Sequence, residues 1–273
     1  MTINCNGKLI DLTSPKVMGI LNFTPDSFFD GGKYKSDKEA LAQVEKMLSE
    51  GADFIDVGTY STRPNAVFVL EAEEINRMKS VMSLLSKEFP ETVYSIDTFR
   101  SEVAKVALDN GGAIINDISA GSLDERMMDV VAKYQVPYIM MHMRGTPQTM
   151  TTLTQYDNLV KEILLYFSQK IAEARSKGIN DLILDVGFGF AKTIEQNFEL
   201  MRKLELFHEL NLPNLVGISR KAMIHKTLNI EPQDALNGTT VLNTIALQKG
   251  ANILRVHDVK QAKEAVNLVS KMK

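Results

Sequence analysis

The sequence predicts an α/β barrel of eight parallel strands, each followed by a helix. Three observations favour this fold class: short apolar runs alternate with amphipathic stretches over 273 residues, the runs are continuously hydrophobic, and polar residues recur directly after them. Continuous hydrophobicity is typical of parallel strands that are buried on both faces. The predicted strands are Val17 to Leu21, Phe54 to Val57, Val93 to Ile96, Ala113 to Ile115, Tyr138 to Met141, Leu182 to Leu184, Leu215 to Ile218 and Ile253 to Val256.

Helical patterns separate these strands, and several of them end at a glycine that is typical of a helix stop, namely Gly51, Gly111, Gly178 and Gly250. Repeated strand-then-helix units in a chain of this length predict one TIM (β/α)8 barrel domain over residues 1–273, with its active site at the carboxyl ends of the strands. A doubly wound open sheet is the competing interpretation. The predicted helices span residues 38–49, 71–87, 102–110, 124–134, 157–177, 195–209, 234–249 and 260–272.

Composition and charge narrow the class of function. The net charge of -3 lacks the basic surplus that neutralises nucleic-acid phosphates, so a small-molecule partner is expected. Cys5 is the single cysteine, which excludes an internal disulfide and a cysteine metal cluster and fits a reducing compartment. No leader pattern and no apolar run of membrane-spanning length is present, so we expect a cytoplasmic protein without a membrane partner.

Polar residues gather where such a barrel places its site. Two carboxylates, two amides, a lysine, an arginine and a histidine follow the strands. Paired carboxylates and amides suit a heterocycle with adjacent N–H donors, such as the edge of a pterin, whereas arginine and histidine suit a diphosphate. Two strand-to-helix loops, 22–37 and 58–70, are long enough to be functional lids. The residues are Asn22, Asp97, Asn116, Asp185, Lys221, Arg255 and His257.

Ordered motifs run through nearly the whole chain. They are Gly19-Ile20-Leu21-Asn22-Phe23-Thr24-Pro25-Asp26-Ser27-Phe28, Ser61-Thr62-Arg63-Pro64, Ser95-Ile96-Asp97-Thr98, Ile115-Asn116-Asp117, Met141-His142-Met143-Arg144-Gly145-Thr146-Pro147, Gly187-Phe188-Gly189-Phe190, Ser219-Arg220-Lys221, Asn237-Gly238-Thr239 and Arg255-Val256-His257-Asp258. In these motifs the chain resembles the dihydropteroate synthases. The resemblance implies a transferase of folate biosynthesis that joins 4-aminobenzoate to (7,8-dihydropterin-6-yl)methyl diphosphate, giving 7,8-dihydropteroate and pyrophosphate.

The resemblance also implies a role for each matching residue. It assigns catalysis to Asp97, Asp185, Lys221, Arg255 and His257, and Mg²⁺ binding to Asn22. It assigns the pterin to Asp97, Asn116, Met141, Asp185, Phe190 and Lys221. It assigns the diphosphate to Asn22, Thr62, Arg63, Arg255 and His257, and the aminobenzoate to Phe28, Thr62, Arg63, Pro64, Phe190, Ser219 and Lys221. A homodimer and sensitivity to sulfonamides are further family properties.

The chain departs from the family pattern at a few positions. Asn65 stands where a glycine is usual, and Ala222 stands where many members have a serine near the aminobenzoate carboxylate. That contact is expected to pass to Ser219 or to backbone N–H groups. Val186 and Ala191 replace a common proline and glycine, and the fold of their loop is expected to survive.

Two other functions stay open at this point. The same barrel in a related use transfers a methyl group from a folate to a corrinoid protein, a reaction that needs no diphosphate site. A pterin-binding paralogue without turnover is the third hypothesis. Arg255 and His257 favour the synthase over methyl transfer.

Overall fold

The computed structural model describes residues 1–23, 32–61 and 68–272, apart from the side chains of residues 32–36. Its first element is an antiparallel hairpin of β1 (Thr2–Cys5) and β2 (Lys8–Asp11). Asn6 and Gly7 join the two strands with φ angles of 51° and 86°. This left-handed pair is what a two-residue hairpin turn requires. This hairpin was not predicted from the sequence.

Eight parallel strands form a closed barrel, with the last strand paired to the first. Each predicted strand overlaps an observed one with ends that differ by no more than two residues, so the barrel prediction is confirmed and the open sheet is excluded. The strands are β3 (Lys16–Asn22), β4 (Phe54–Gly58), β5 (Tyr94–Asp97), β6 (Gly112–Asp117), β7 (Tyr138–Met141), β8 (Leu182–Asp185), β9 (Asn214–Val216) and β10 (Ile253–Val256).

Helices cover the outside of the barrel. They are α1 (Gly32–Ser49), α2 (Glu71–Glu88), α3 (Ser101–Asp109), α4 (Met127–Tyr134), α5 (Leu159–Ser176), α6 (Ile194–Arg202), α7 (Ala222–Leu228), α8 (Leu236–Gln248) and α9 (Val259–Ser270). The four predicted stop glycines all have positive φ, between 83° and 98°. No helix in the described part of the chain is long and apolar enough to cross a membrane.

The helix predictions need correction at several points. The stretch 195–209 is α6 followed by a separate 3₁₀ segment, Leu204–Leu210. Helix α4 begins later than predicted because the Asp124 carboxylate accepts the N–H groups of Ser101 and Arg126, at 2.8 and 3.0 Å, and so caps the start of α3 and a turn instead. Helix α7 was absent from the predicted set.

The inside of the barrel changes from apolar to polar along several of its strands. Because side chains alternate between the two faces, residues two apart share the inner face. Near the amino ends the inner residues form a dry cluster that includes Ile3 and Cys5 of the hairpin. The next inner residues are polar, so the carboxyl ends carry the chemistry. The successive pairs are Phe54 and Asp56, Ile114 and Asn116, Ile183 and Asp185, and Ile253 and Arg255.

Candidate active site

The floor of the site is a charged cluster around Arg255. Its guanidinium donates from Nε to Asp56 Oδ2 at 2.6 Å and from Nη2 to Asp97 Oδ2 at 2.7 Å. Asn116 Nδ2 donates to the same oxygen of Asp56 at 3.1 Å. The carboxylates are almost withdrawn from solvent, with exposed fractions of 0% for Asp56 and 12% for Asp97. Arg255 is therefore fixed between two buried carboxylates.

Burial governs how these groups hold protons. It raises the pKa of Asp97 to about 7; the Arg255 cation opposes this shift and the Asp56 carboxylate adds to it. Burial also lowers the pKa of Arg255, but Asp56 and Asp97 more than offset it, so the net direction is upward. Asp97 can thus change its protonation state near neutral pH while Arg255 stays a cation.

Sequence reasoning missed Asp56. The residue lies inside the run Phe54-Ile55-Asp56-Val57, which was assigned only as a strand. The signal was present, since a carboxylate at the inward position of a buried strand requires a charged partner. Within the described residues, its Oδ1 atom has no hydrogen-bond partner although its side chain is fully buried.

Asp185 and Lys221 form the second part of the floor. Asp185 Oδ1 accepts the N–H of Gly187 at 2.8 Å, and Lys221 Nζ donates to the carbonyl oxygen of Phe188 and lies 4.8 Å from the centre of the Phe190 ring. Burial raises the pKa of Asp185, and burial lowers the pKa of Lys221 to about 8; each is opposed by the charge of the other. An acceptor, Asp185, and a donor, Lys221, thus lie at the same part of the floor, beside the Phe190 ring.

A buried lysine braces the loop that carries Phe190. Lys192 Nζ donates to the carbonyl oxygens of Gly187 at 3.0 Å and Phe190 at 2.9 Å, and lies 3.0 Å from His142 Nδ1. Burial lowers the pKa of Lys192 to about 7 and that of His142 to about 2. Lys192 supports the site without lying in the floor.

The rim of the site lies at the end of β10. His257 Nδ1 is 3.0 Å from Ser219 Oγ, and the His257 N–H donates to the same oxygen at 3.2 Å. Asn22 ends β3 and pairs in register with Gly58, which in turn pairs with Asp97. The predicted floor residues and these rim residues therefore share one end of the barrel. Met141 lies in an apolar cluster at the same end, packed with Phe190.

Comparisons with known proteins match this chain to pterin-binding enzymes. A family model described as "Pterin binding enzyme" matches residues 18–257. The dihydropteroate synthase of Escherichia coli K12 is 42% identical over 98% of this chain and 95% of its own length. The Yersinia pestis dihydropteroate synthase, solved with a sulfonamide drug, superposes with a TM-score of 0.92 at 41% identity, covering 100% of this chain and 99% of its own.

This chain belongs to the dihydropteroate synthase family. It is accordingly a transferase with a TIM-barrel fold. The Xanthomonas albilineans dihydropteroate synthase, solved with 4-aminobenzoic acid, has a TM-score of 0.92 and 36% identity over 99% of this chain and 97% of its own. The resemblance stated from the motifs is thus confirmed over the full length.

Some predicted residues of this synthase-family site lie outside the described residues, namely Phe28, Thr62, Arg63 and Pro64, together with Asn65. The residues that border the undescribed segment 62–67 form an aromatic cluster around Arg100. The guanidinium of Arg100 lies 5.2 Å from the ring centre of Tyr60 and 5.6 Å from that of Phe68. Arg100 Nη2 also donates to the Val69 carbonyl oxygen at 2.9 Å.

Ala191 shows why dihydropteroate synthases usually have glycine at this position. Its φ angle is 50°, in the left-handed region where a side chain costs roughly 1 kcal/mol or more. The methyl group is buried, which offsets part of that cost by about 0.8 kcal/mol. The backbone at Ala191 therefore holds alanine in a left-handed conformation that glycine adopts at little cost.

Proposed function

We propose that this chain condenses 4-aminobenzoate with (7,8-dihydropterin-6-yl)methyl diphosphate to form 7,8-dihydropteroate and pyrophosphate in folate biosynthesis. One observation carries the proposal: Arg255 holds two buried carboxylates of the floor, and the rim residue His257 follows it two positions later, at one end of a barrel that matches dihydropteroate synthases end to end. The floor can hold the heterocycle while the rim holds its anionic substituent.

The floor suits a pterin by its donors and acceptors. Asp185 and Asp97 supply carboxylate oxygens for ring N–H groups, and Asn116 supplies an amide. Lys221 supplies a cation that can donate to a ring oxygen or nitrogen, and the Phe190 ring beside it gives an apolar contact. A buried carboxylate binds adjacent N–H donors strongly because water does not compete.

The same residues support bond breaking. The C–O bond between the methylene and the diphosphate breaks, and its electron pair leaves with pyrophosphate. The positive charge that develops on the pterin methylene is shared by the electron-rich ring, where Asp97 and Asp185 stabilise it. Arg255 and His257 receive the growing negative charge of the leaving group. We propose that this step precedes attack by the amine, as in an SN1 reaction.

The arylamine needs no general base. Its nitrogen carries a lone pair at neutral pH, which forms the new C–N bond; the surplus N–H proton then passes to water. We propose that Ser219 of the rim and Lys221 of the floor receive its carboxylate, since they are two residues apart in the chain. Positioning of the two substrates supplies the catalytic effect on this side.

We propose that Mg²⁺ takes part through Asn22. The described residues contain no cluster of three His, Cys, Asp or Glu side chains that could hold a metal ion. An amide oxygen at the rim fits a Mg²⁺ ion that keeps several waters and takes its other ligands from substrate phosphates. Bound there, the ion would neutralise charge on the leaving pyrophosphate.

Three further properties belong to this proposal. Sulfonamide sensitivity is supported by the drug complex of the Yersinia relative. A homodimer is supported by exposed apolar side chains on three consecutive helices, Leu228, Val241 and Leu268. A cytoplasmic location is supported by the free, buried thiol of Cys5. The substrates of the proposed reaction are small molecules.

Pyrophosphate release tests the proposed function. The purified chain is mixed with the pterin diphosphate and Mg²⁺, with and without 4-aminobenzoate. We expect slow release without the amine and faster release with it. Lys221→Met should abolish the amine-dependent rate, whereas Lys249→Met, which breaks an ion pair with Glu205, should not change it. No pyrophosphate from the unaltered chain under either condition would contradict the proposal.

A further inference from the structure

Arg220 lies between two site residues, Ser219 and Lys221, in a conformation that a long side chain rarely adopts. Its φ angle is 57°, in the left-handed region. A non-glycine residue remains there only when its surroundings hold it, because the conformation costs about 1–3 kcal/mol. Some set of contacts must therefore fix this residue.

Contacts to three separate segments hold Arg220. Its guanidinium forms a two-point ion pair with Asp258, with Nε to Oδ2 at 2.9 Å and Nη2 to Oδ1 at 2.6 Å. Nη1 donates to the carbonyl oxygen of Gln233 at 3.2 Å, and the backbone N–H donates to Thr239 Oγ1 at 3.1 Å. Paired donors on a carboxylate fix direction as well as distance.

The ion pair joins two parts of the rim that the sheet leaves apart. Strands β9 and β10 pair only at Leu215 with Ile253 and Val216 with Leu254, within the described chain. Beyond those pairs, one segment carries Lys221 and the other carries His257. The Arg220–Asp258 ion pair and the contact between Ser219 and His257 both join these segments.

We propose that Arg220 is a positioning residue whose ion pair with Asp258 sets the distance between Lys221 and His257. This role rests on the proposed function: Arg220 aligns the residues that bind the pterin with those that bind the diphosphate. The residue touches neither substrate. Its effect passes through the backbone of its two neighbours, and it matters most for a ligand that occupies both groups at once.

A merely structural ion pair would behave differently. Both side chains are partly exposed, 29% for Arg220 and 17% for Asp258. An exposed ion pair contributes roughly 0–1 kcal/mol to stability, and the two-point geometry puts this pair at the upper end of that range. A structural role predicts a small loss of stability with no preference among ligands. A positioning role predicts that separate fragments bind normally while the joined substrate does not.

Arg220→Asn and Asp258→Asn test the proposal from both sides of the pair. Asparagine tolerates the left-handed conformation, so Arg220→Asn removes the ion pair while keeping the backbone. Arg175→Asn is the matched control, because Arg175 contacts backbone carbonyls at the opposite end of the barrel. Calorimetry measures 6-hydroxymethyl-7,8-dihydropterin, pyrophosphate with Mg²⁺, and the joined pterin diphosphate with Mg²⁺.

We expect both fragments to bind each rim variant within about threefold of the unaltered chain, while the joined substrate binds at least tenfold more weakly. A displacement of about 1 Å between groups that act together can cost on the order of 100-fold in rate, so kcat should fall as well. Equal weakening of fragments and joined substrate, or no weakening of either, would overturn the positioning role. Because binding is measured without 4-aminobenzoate, an unaltered chain that forms no dihydropteroate would contradict the proposed function and leave this test decisive.

Discussion

Replacing Asp56 by asparagine probes the residue on which the floor depends. The substitution keeps the size of the side chain and removes its charge. Arg255 then retains Asp97 as its single carboxylate partner among the floor residues, and the amide of Asn116 loses a charged acceptor. Because Asp56 is fully buried, water does not replace the lost interaction.

The size of the effect follows from burial. Breaking a buried ion pair from one side costs about 3–5 kcal/mol. The amide oxygen of asparagine can still accept a hydrogen bond from Arg255, so the low end, about 3 kcal/mol, is expected. For a chain of this length the entropy of unfolding is on the order of 0.6 kcal/mol/K, so Tm should fall by about 5 °C.

Thermal unfolding and pterin titration measure the two consequences. Asp129→Asn is the control, since it removes the same charge from an exposed ion pair with Lys177 and should change stability by less than about 1 kcal/mol. Asp56 also raises the pKa of Asp97, so Asp56→Asn should lower the pH at which pterin affinity changes. Equal Tm values for Asp56→Asn and Asp129→Asn would refute this reasoning.

Three other predictions address the loop and the floor. Lys192→Met should reduce the free energy of unfolding by about 3 kcal/mol, because each buried carbonyl oxygen left without a donor costs about 1–3 kcal/mol of stability. Denaturant titration measures this loss. Gly187→Ala should lower the free energy of unfolding by more than ~2 kcal/mol, since its φ is 70° and a Cβ would lie 2.1 Å from a carbonyl oxygen. Gly178→Ala is the control, because a Cβ there meets nothing within 4 Å and should cost only about 1 kcal/mol. Similar losses for the two variants would count against the clash. Burial raises the pKa of Asp97 to about 7, and ring N–H donors favour its ionised form, so pterin affinity should rise about tenfold from pH 6 to pH 8; Asp97→Asn should flatten the profile, and a pH-independent affinity in the unaltered chain would contradict the assignment.

The barrel was predictable because its signal is repeated. Each strand is a buried apolar run, and several of the helices end at a glycine, so one ambiguous element does not alter the inference. The hairpin at residues 2–11 was missed although Asn6-Gly7 is a strong turn signal, because its strands are short and half exposed. Helix α7 was missed because its seven residues are too few to show a helical period.

The site was predictable where polar residues follow strands and less so where they lie within one. Asp97, Asn116 and Asp185 were identified by that rule, and they share one end of the barrel with Arg255, which lies near the end of the last strand. Asp56 was overlooked because its neighbours Ile55 and Val57 made the run read as apolar. The ion pair and hydrogen bonds that hold the rim join residues distant in sequence, which no local pattern reveals.

Product identification tests the central claim most directly. Excess chain is mixed with limiting pterin diphosphate, 4-aminobenzoate and Mg²⁺, and mass spectrometry follows 7,8-dihydropteroate while pyrophosphate is counted in the same sample. We predict one dihydropteroate for each pyrophosphate in a single turnover. Pyrophosphate without dihydropteroate would mean that the floor and rim bind and cleave the ester but do not join it to the amine, and would contradict the synthase activity.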